Sequence, residues 1–345
     1  MIANALVDIW RAEGVKPLLK YEDDLDIFRY PVPDGQFVDG DFRYSYDRES
    51  MLSIVSSLNV PWHPEKGDPY FTSLTIFIGL LWDLVEKRVS LPEHKRLKFL
   101  ARVQTFVGSF EGHRCQLRDV EKIHGSLCYI AFVYTAGRSR LLSLSNFAAS
   151  FKGDEFGRRY PPKSVITDLK WWLDTLIPAN TYRQLTPRGP LIDKRIFVDA
   201  STSWGIGILV EDRWLAFQLV SNWKSEGRDI CWLETLAVEF VVYIIKAMNI
   251  CNCRVLIHSD NQGTIGSMGK GRSANYHINL SVRRTYATLA SLFVTPILEY
   301  IASADNPADP ISRGESGPPH LALTTPFTLP MELQHLFINA DRLFH

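Results

Sequence analysis

Long apolar runs are missing from this 345-residue sequence. None approaches the roughly 18 residues that a membrane-crossing helix needs, so no membrane partner is expected. The first residues, MIANALVDIWRAEGV, lack a basic start followed by a long apolar run, which argues against a secretory signal. Cysteine is scarce: the five present, with Cys251 and Cys253 one residue apart, fit neither a paired disulfide framework nor a four-ligand zinc pattern. They read as reduced and structural, in an intracellular protein. No basic localisation run decides between nucleus and cytoplasm. Net charge is also missing, since 38 Lys and Arg balance 38 Asp and Glu. That excludes a protein coating itself with nucleic acid through bulk charge, but not one with a local basic track.

The balance hides an uneven distribution. Residues 1–50 hold eleven acids against six Lys or Arg, whereas residues 261–290 hold Lys270, Arg272, Arg283 and Arg284 and no acid. With 46% hydrophobic and 22% charged residues the chain reads as globular, and its length predicts roughly two or three domains. Apolar spacing predicts a helix over 2–13. VKPLL and LDIFRY read as short strands flanking an acidic knot, Glu22, Asp23 and Asp24. YDRESMLSIVSSL is a helix with Asp47 or Ser45 as cap. YFTSLTIFIGLLWDLVEKRVSLP reads as a hairpin or paired strands, and 92 to about 150 as helical. DLKWWLDTL is a further helix, and the Pro/Gly-bearing TPRGP marks a boundary. KRIFVDASTSWGIGILVEDRWLAFQLV then opens an antiparallel meander. The apolar helix ICWLETLAVEFVVYIIKAM, the strand CRVLIHSD, further helices and the strand LFVTPILEYI follow. The order predicts a mixed α/β layer fold. A Pro-containing linker leads to MELQHLFINADRLF, expected as one short helix.

Four acids occupy suggestive places. Asp199 lies in the strand IFVDAS, Glu234 in the apolar helix, Asp260 at the end of VLIHSD, and Asp309 after the last strand. Singly, each has a plainer reading as a turn residue, a helix cap or a solvent-facing side chain. Together they fit a site at strand ends, with Asp199 and Asp260 on adjacent strands and Glu234 presented over them. Clustered carboxylates raise one another's pKa, and divalent cations cancel that repulsion. Two Mg²⁺ ions roughly 4 Å apart are a means of breaking phosphodiesters, and their preference for oxygen ligands suits carboxylates. Glu239, five residues beyond Glu234, falls on a different helix face. Its expected role is solvation or a pairing unrelated to metal.

VDAS (198–201) with WGIGI behind it, LETLAVE (233–239), HSDNQGT (258–264) and NPADPISRG (306–314) resemble, in order and spacing, the ribonuclease H domain of retroelement reverse transcriptases. The last piece is close to the Asn–x–Ala–Asp–x–x–Ser–Arg ending of fungal and animal elements. The resemblance implies Asp199, Glu234, Asp260 and Asp309 as a catalytic, metal-binding tetrad for Mg²⁺, with Mn²⁺ as substitute. It also implies Asn261 beside the 2′-hydroxyls of the RNA strand. Lys270, Arg272, Arg283 and Arg284 would then form a phosphate track. One departure stands out. Retroviral relatives carry a histidine before the last acid, and ILEYIASADNPAD has none; Ser303 or Asp305 stands in its place.

Upstream, KYEDDLDIF resembles the polymerase palm motif, with Tyr21, Asp23 and Asp24 in its Tyr–x–Asp–Asp positions, and NVPWHPEKG resembles the next palm motif with Lys66 as its lysine. IGLLWDLVEKRVSLPEHK resembles the primer grip, DVEKIHGSLCYIAFVY a thumb helix, and DLKWWLDTL the connection. The expected division is a palm remnant over 1–91, a largely helical thumb and connection over 92–190, a ribonuclease H-like domain over 191–315, and a linker with a short helix over 316–345. Only 20 residues precede Tyr21, leaving no fingers and no further palm carboxylate. The palm site is therefore expected to be vestigial, without DNA synthesis by this chain alone. The leading expectation is a Mg²⁺-dependent ribonuclease H that cuts the RNA strand of RNA–DNA hybrids. A nucleic-acid-binding or protein-interaction scaffold, with hybrid or structured RNA as partner, is the alternative. A third is one chain of a split reverse transcriptase, whose exposed palm edge calls for a homodimer contact or a protein partner.

Overall fold

The computed structural model describes residues 2–22, 24–63, 67–186, 189–225, 227–323 and 327–339. Two compact units emerge, one formed by residues 1–96 with 179–185 and the other by 97–178 with 186–345.

In the first unit, helix α1 (Ile2–Ala12) buries Leu6, Val7 and Trp10. The hairpin β1 (Leu18–Tyr21) and β2 (Asp24–Ile27) follows, then the hairpin β3 (Phe37–Asp39) and β4 (Phe42–Tyr44). Helix α2 (Arg48–Ile54) starts at Asp47, whose carboxylate accepts from the Ser50 N–H at 2.8 Å, the expected cap. The segment expected as a hairpin or paired strands forms a three-stranded meander, β5 (Leu74–Phe77), β6 (Leu80–Asp83) and β7 (Arg88–Ser90). The later strand β10 (Tyr182–Gln184) pairs antiparallel with β7.

Helix α3 (Glu93–Phe110) leads into the second unit's helical part. There α4 (Leu117–Ile130), α5 (Leu142–Ser150) and α6 (Lys163–Leu176) pack together, and the two-residue strands β8 (Cys115–Gln116) and β9 (Arg158–Arg159) pair antiparallel. The rest is a mixed six-stranded sheet, the α/β layer anticipated from the element order. Its strands are β11 (Leu191–Ala200), β12 (Gly205–Val210), β13 (Arg213–Leu219), β14 (Arg254–Ser259), β15 (Thr295–Tyr300) and β16 (Phe337–Asn339), in the spatial order β15-β14-β11-β12-β13-β16. β11 to β13 form the meander; β14 runs parallel to both β11 and β15. The C-terminal segment differs from the single helix expected. Met331–Gln334 makes one turn (α11), and Phe337–Asn339 then leaves it to pair with β13. Phe337 turns into the core beside Phe217 and Phe240, so sheet packing overrides the helical spacing.

Helix α7 (Ile230–Ala247) is apolar on all sides because it is buried on all sides, between the sheet and α9 (Tyr276–Leu292). Asp229 caps it through the Trp232 N–H at 3.0 Å. The fully buried Glu239 accepts from Arg284 at 2.6 and 2.9 Å and from the Ser281 hydroxyl at 2.6 Å, and the Tyr243 hydroxyl also donates to it. It is thus not solvated; it makes a pairing away from the other acids. On the preceding position of α9, Arg283 donates to both oxygens of the buried Asp168 on α6 at 3.0 Å and to the Ser139 carbonyl at 2.7 Å. These pairs lock α9 to α7 and to the helical part.

Breaking a buried pair strands a charge, at a cost of about 3–5 kcal/mol. Arg284→Met is therefore expected to destabilise the second unit by about that amount in urea unfolding. Glu239→Leu combined with Arg284→Met should recover most of the loss, because no unpaired carboxylate remains.

Candidate metal centre

Parallel pairing of β11 with β14 sets the centre. Val198 sits opposite Ser259, so the next residues, Asp199 and Asp260, emerge side by side. Glu234, one turn into α7, reaches them from the helix layer. Its Oε1 accepts from the Ala200 N–H at 3.3 Å. One carboxylate oxygen from each of Asp199, Glu234 and Asp260 lies within 4.8 Å of the others.

The last part of the motif is fastened onto this pair. Asn306 donates from Nδ2 to the Val198 carbonyl at 3.0 Å and accepts from the Ala308 N–H at 3.2 Å. Helix α10 (Asp309–Ser312) then lies against β12 so closely that a Cβ on Gly207 would fall 2.5 Å from the Ser312 nitrogen and 2.7 Å from the Ala308 oxygen. Only glycine permits that approach. It brings the Ser312 hydroxyl to Asp199, to which it donates. From the neighbouring loop the Ser303 hydroxyl donates to Asp260. Asp309 is not within the tight cluster. It pairs with Arg313, which donates at 2.8 and 2.9 Å and holds the carboxyl below its usual range. Asp309 is still near enough that its charge helps raise Asp199.

Burial is the main reason the cluster is out of its ordinary range. It pushes the Asp199 carboxyl up to about 6, against the Ser312 hydrogen bond, with Asp260 and Asp309 adding repulsion. It pushes Glu234 up to about 9, with Asp199 and Asp260 adding to the effect. Glu234 Oε2 is buried without a hydrogen-bond partner. Oxygen donors alone, close together, repelling one another and with one orphaned, are a set that a hard divalent cation fits.

The remaining expected residues separate. Asn261 caps α8 (Gln262–Lys270), its Oδ1 accepting from the Thr264 N–H at 2.9 Å. Lys270 is exposed at the end of α8, and Arg272, just beyond it, is exposed as well. Arg283 and Arg284 depart from the expected phosphate track, because their guanidiniums are engaged by Asp168 and Glu239 inside the protein. In the hairpin of β1 and β2, Tyr21 and Asp24 are exposed, and Asp24 opens β2 rather than lying on the turn; Asp23 and Lys66 lie outside the described residues. Asn306, Ser312 and Arg313 belong to NPADPISRG, yet the sequence alone assigns them no role. The spacing of Asp309, Ser312 and Arg313, three and four residues apart, is the available signal that they share a helix face.

Metal-free stability follows from these shifts. Both native pKa values exceed the ordinary ones, 3.8 for Asp199 and 4.5 for Glu234, so across that window the native state holds more protons than the unfolded state. Stability then falls as pH rises, completely for Asp199 above about 6 and for Glu234 above about 9. In EDTA, Tm is expected to decline from acid to alkaline pH. Glu234→Gln should flatten that slope and raise Tm at the alkaline end; a slope unchanged by the substitution would contradict the strained carboxylate.

Scans against protein-family models and against curated proteins give no match. Among solved structures, the chain is similar to the foamy viral protease-reverse transcriptase. A form designated dRH, in complex with double-stranded DNA, aligns at 12% identity with a TM-score of 0.33, covering 86% of this chain and 48% of that one. The same viral protein in complex with an RNA/DNA hybrid aligns at 12% identity with a TM-score of 0.37, covering 95% of this chain and 40% of that one. The chain thus spans less than half the length of either. At such distance the likeness carries no weight for chemistry, which rests on the carboxylates themselves.

Proposed function

We propose that the chain is a divalent-metal-dependent ribonuclease H that hydrolyses the RNA strand of RNA–DNA hybrids. The observation that carries this reading is the convergence of Asp199, Glu234 and Asp260 within 4.8 Å, with one Glu234 oxygen buried and unpartnered. Bound Mg²⁺, or Mn²⁺ in its place, would supply the positive charge that relieves this repulsion and polarises water and the scissile phosphate.

The chain's own groups do the positioning. Asp199, Glu234 and Asp260 would hold the cations, with Asp309 as the fourth ligand. The Ser312 hydroxyl and the Ala200 amide fix the rotation of the Asp199 and Glu234 carboxylates, and Ser303 does the same for Asp260. The side-chain oxygen of Asn261 is committed to capping, which leaves its amide nitrogen for a 2′-hydroxyl, the group that distinguishes RNA from DNA. Lys270 and Arg272, the members of the basic segment outside those internal pairs, contact phosphates. DNA synthesis is not part of the proposal.

The test is cleavage of a labelled hybrid in Mg²⁺, in Mn²⁺ and in EDTA. Wild type is expected to cut in either metal and not in EDTA, and Asp260→Asn to lose at least ~100-fold. Ser312→Ala, which removes only an orienting hydroxyl, should cost ~10–100-fold. Mg²⁺ should also raise the Tm of wild type and not that of Asp260→Asn, since it binds only the folded site. Intact hybrid at high protein concentration in both metals would overturn the nuclease reading, and retained hybrid binding would then favour a scaffold.

A further inference from the structure

A second polar feature lies in the helical part of the same unit, on residues that the carboxylate centre does not use. The paired strands β8 and β9, with the ends of α5 and α6, enclose an open cavity of about 400 Å³. Arg114, Arg158 and Arg159 line it together with Phe147 and Tyr160. The antiparallel register, Cys115 opposite Arg159 and Gln116 opposite Arg158, is what concentrates three guanidiniums around one opening.

These arginines differ from those that fasten the helices of the unit. Arg140, Arg283 and Arg284 are tied to buried carboxylates. Arg114, Arg158 and Arg159 have no ion-pair partner among the described residues, and each is exposed. Asp154, four residues before Arg158, instead accepts through Oδ1 from the Phe156 and Gly157 N–H groups at 3.1 and 2.9 Å. What supports the guanidiniums is aromatic. Arg114 lies 5.0 Å from the centroid of the Tyr160 ring, and Arg159 lies 5.5 Å from that of the buried Phe151. Tyr160 is itself 57% exposed.

Unpaired arginine forks match phosphate oxygens two at a time. An exposed aromatic ring offers a base a stacking surface, and only an unstacked base can use it, which selects a single strand over a duplex. The cavity lies within the range of about 300–1,000 Å³ typical of small-ligand pockets. We propose that this pocket holds a nucleotide of a single-stranded nucleic acid, with its phosphate against Arg114, Arg158 and Arg159 and its base on the free face of Tyr160. The site needs no divalent cation and stands independently of the nuclease reading.

Binding of a fluorescein-labelled oligothymidylate of about 12 nucleotides to the full chain in EDTA tests it by anisotropy over a salt series. Replacing Arg114 and Arg158 together by Gln is expected to weaken binding at least ~10-fold. It should also make the slope of log K against log salt shallower by about 1.4, roughly 0.7 for each phosphate of the single strand that is no longer neutralised. Tyr160→Ala should weaken it at least ~5-fold. Inorganic polyphosphate of equal charge should bind more weakly and be indifferent to Tyr160→Ala. Asp260→Asn should bind the oligonucleotide as wild type does, which separates failure here from failure of the nuclease reading. Photocrosslinking wild type with an iodouracil-containing strand should place the adduct on the peptide containing Tyr160, a readout that no variant's folding can disturb. Unchanged affinity in the arginine double variant, an adduct elsewhere, or polyphosphate binding equal to that of the oligonucleotide would overturn the assignment.

Discussion

Repulsion among three carboxylates governs the second unit. Left alone, Asp199, Glu234 and Asp260 would move apart or take up protons, and burial sharpens both tendencies. They stay together because none sits on a loop free to yield. Asp199 belongs to a central strand, Asp260 follows the strand hydrogen-bonded beside it, and Glu234 is fixed to a helix buried on every face. The frame's rigidity is supplied by apolar packing, and the placement of the three acids at its rim draws on that rigidity.

The unit uses the same charges in two opposite ways. Glu239 and Asp168 are as deeply buried as Asp199 and Glu234, yet each is matched by a guanidinium in good geometry. Glu234, on the same helix as Glu239, has no cation among the described residues to match it. That contrast separates acids that hold helices together from acids left without a counter-charge among the described residues, and burial alone does not distinguish them.

Much of this was legible in the sequence. The strand and helix order, the capping Asp47, and the juxtaposition of Asp199, Glu234 and Asp260 follow from periodicity and from short motifs at strand ends. The failures have physical causes. Arg283 and Arg284 read as a basic surface because their partners, Asp168 and Glu239, are 115 and 45 residues distant, and no local pattern reveals a long-range pair. The strand β16 was hidden because Leu336 and Phe337 satisfy helical spacing equally well, and only the open edge of β13 decides between the two. The β8–β9 pairing was invisible because two-residue strands have no period. Ser312 was in plain view, but a serine near an acid gains meaning only when Gly207 is seen to let its helix approach.

The clamp from Asn306 to the Val198 carbonyl spans 108 positions of the chain. During synthesis, Asp199 and Glu234 therefore leave the ribosome well before the loop that completes their surroundings. Until residues 306–313 arrive, the strand carries its acids without Ser312 beside them or Arg313 close by. A half-made chain consequently holds Asp199 and Glu234 in a setting that the order of emergence leaves unfinished.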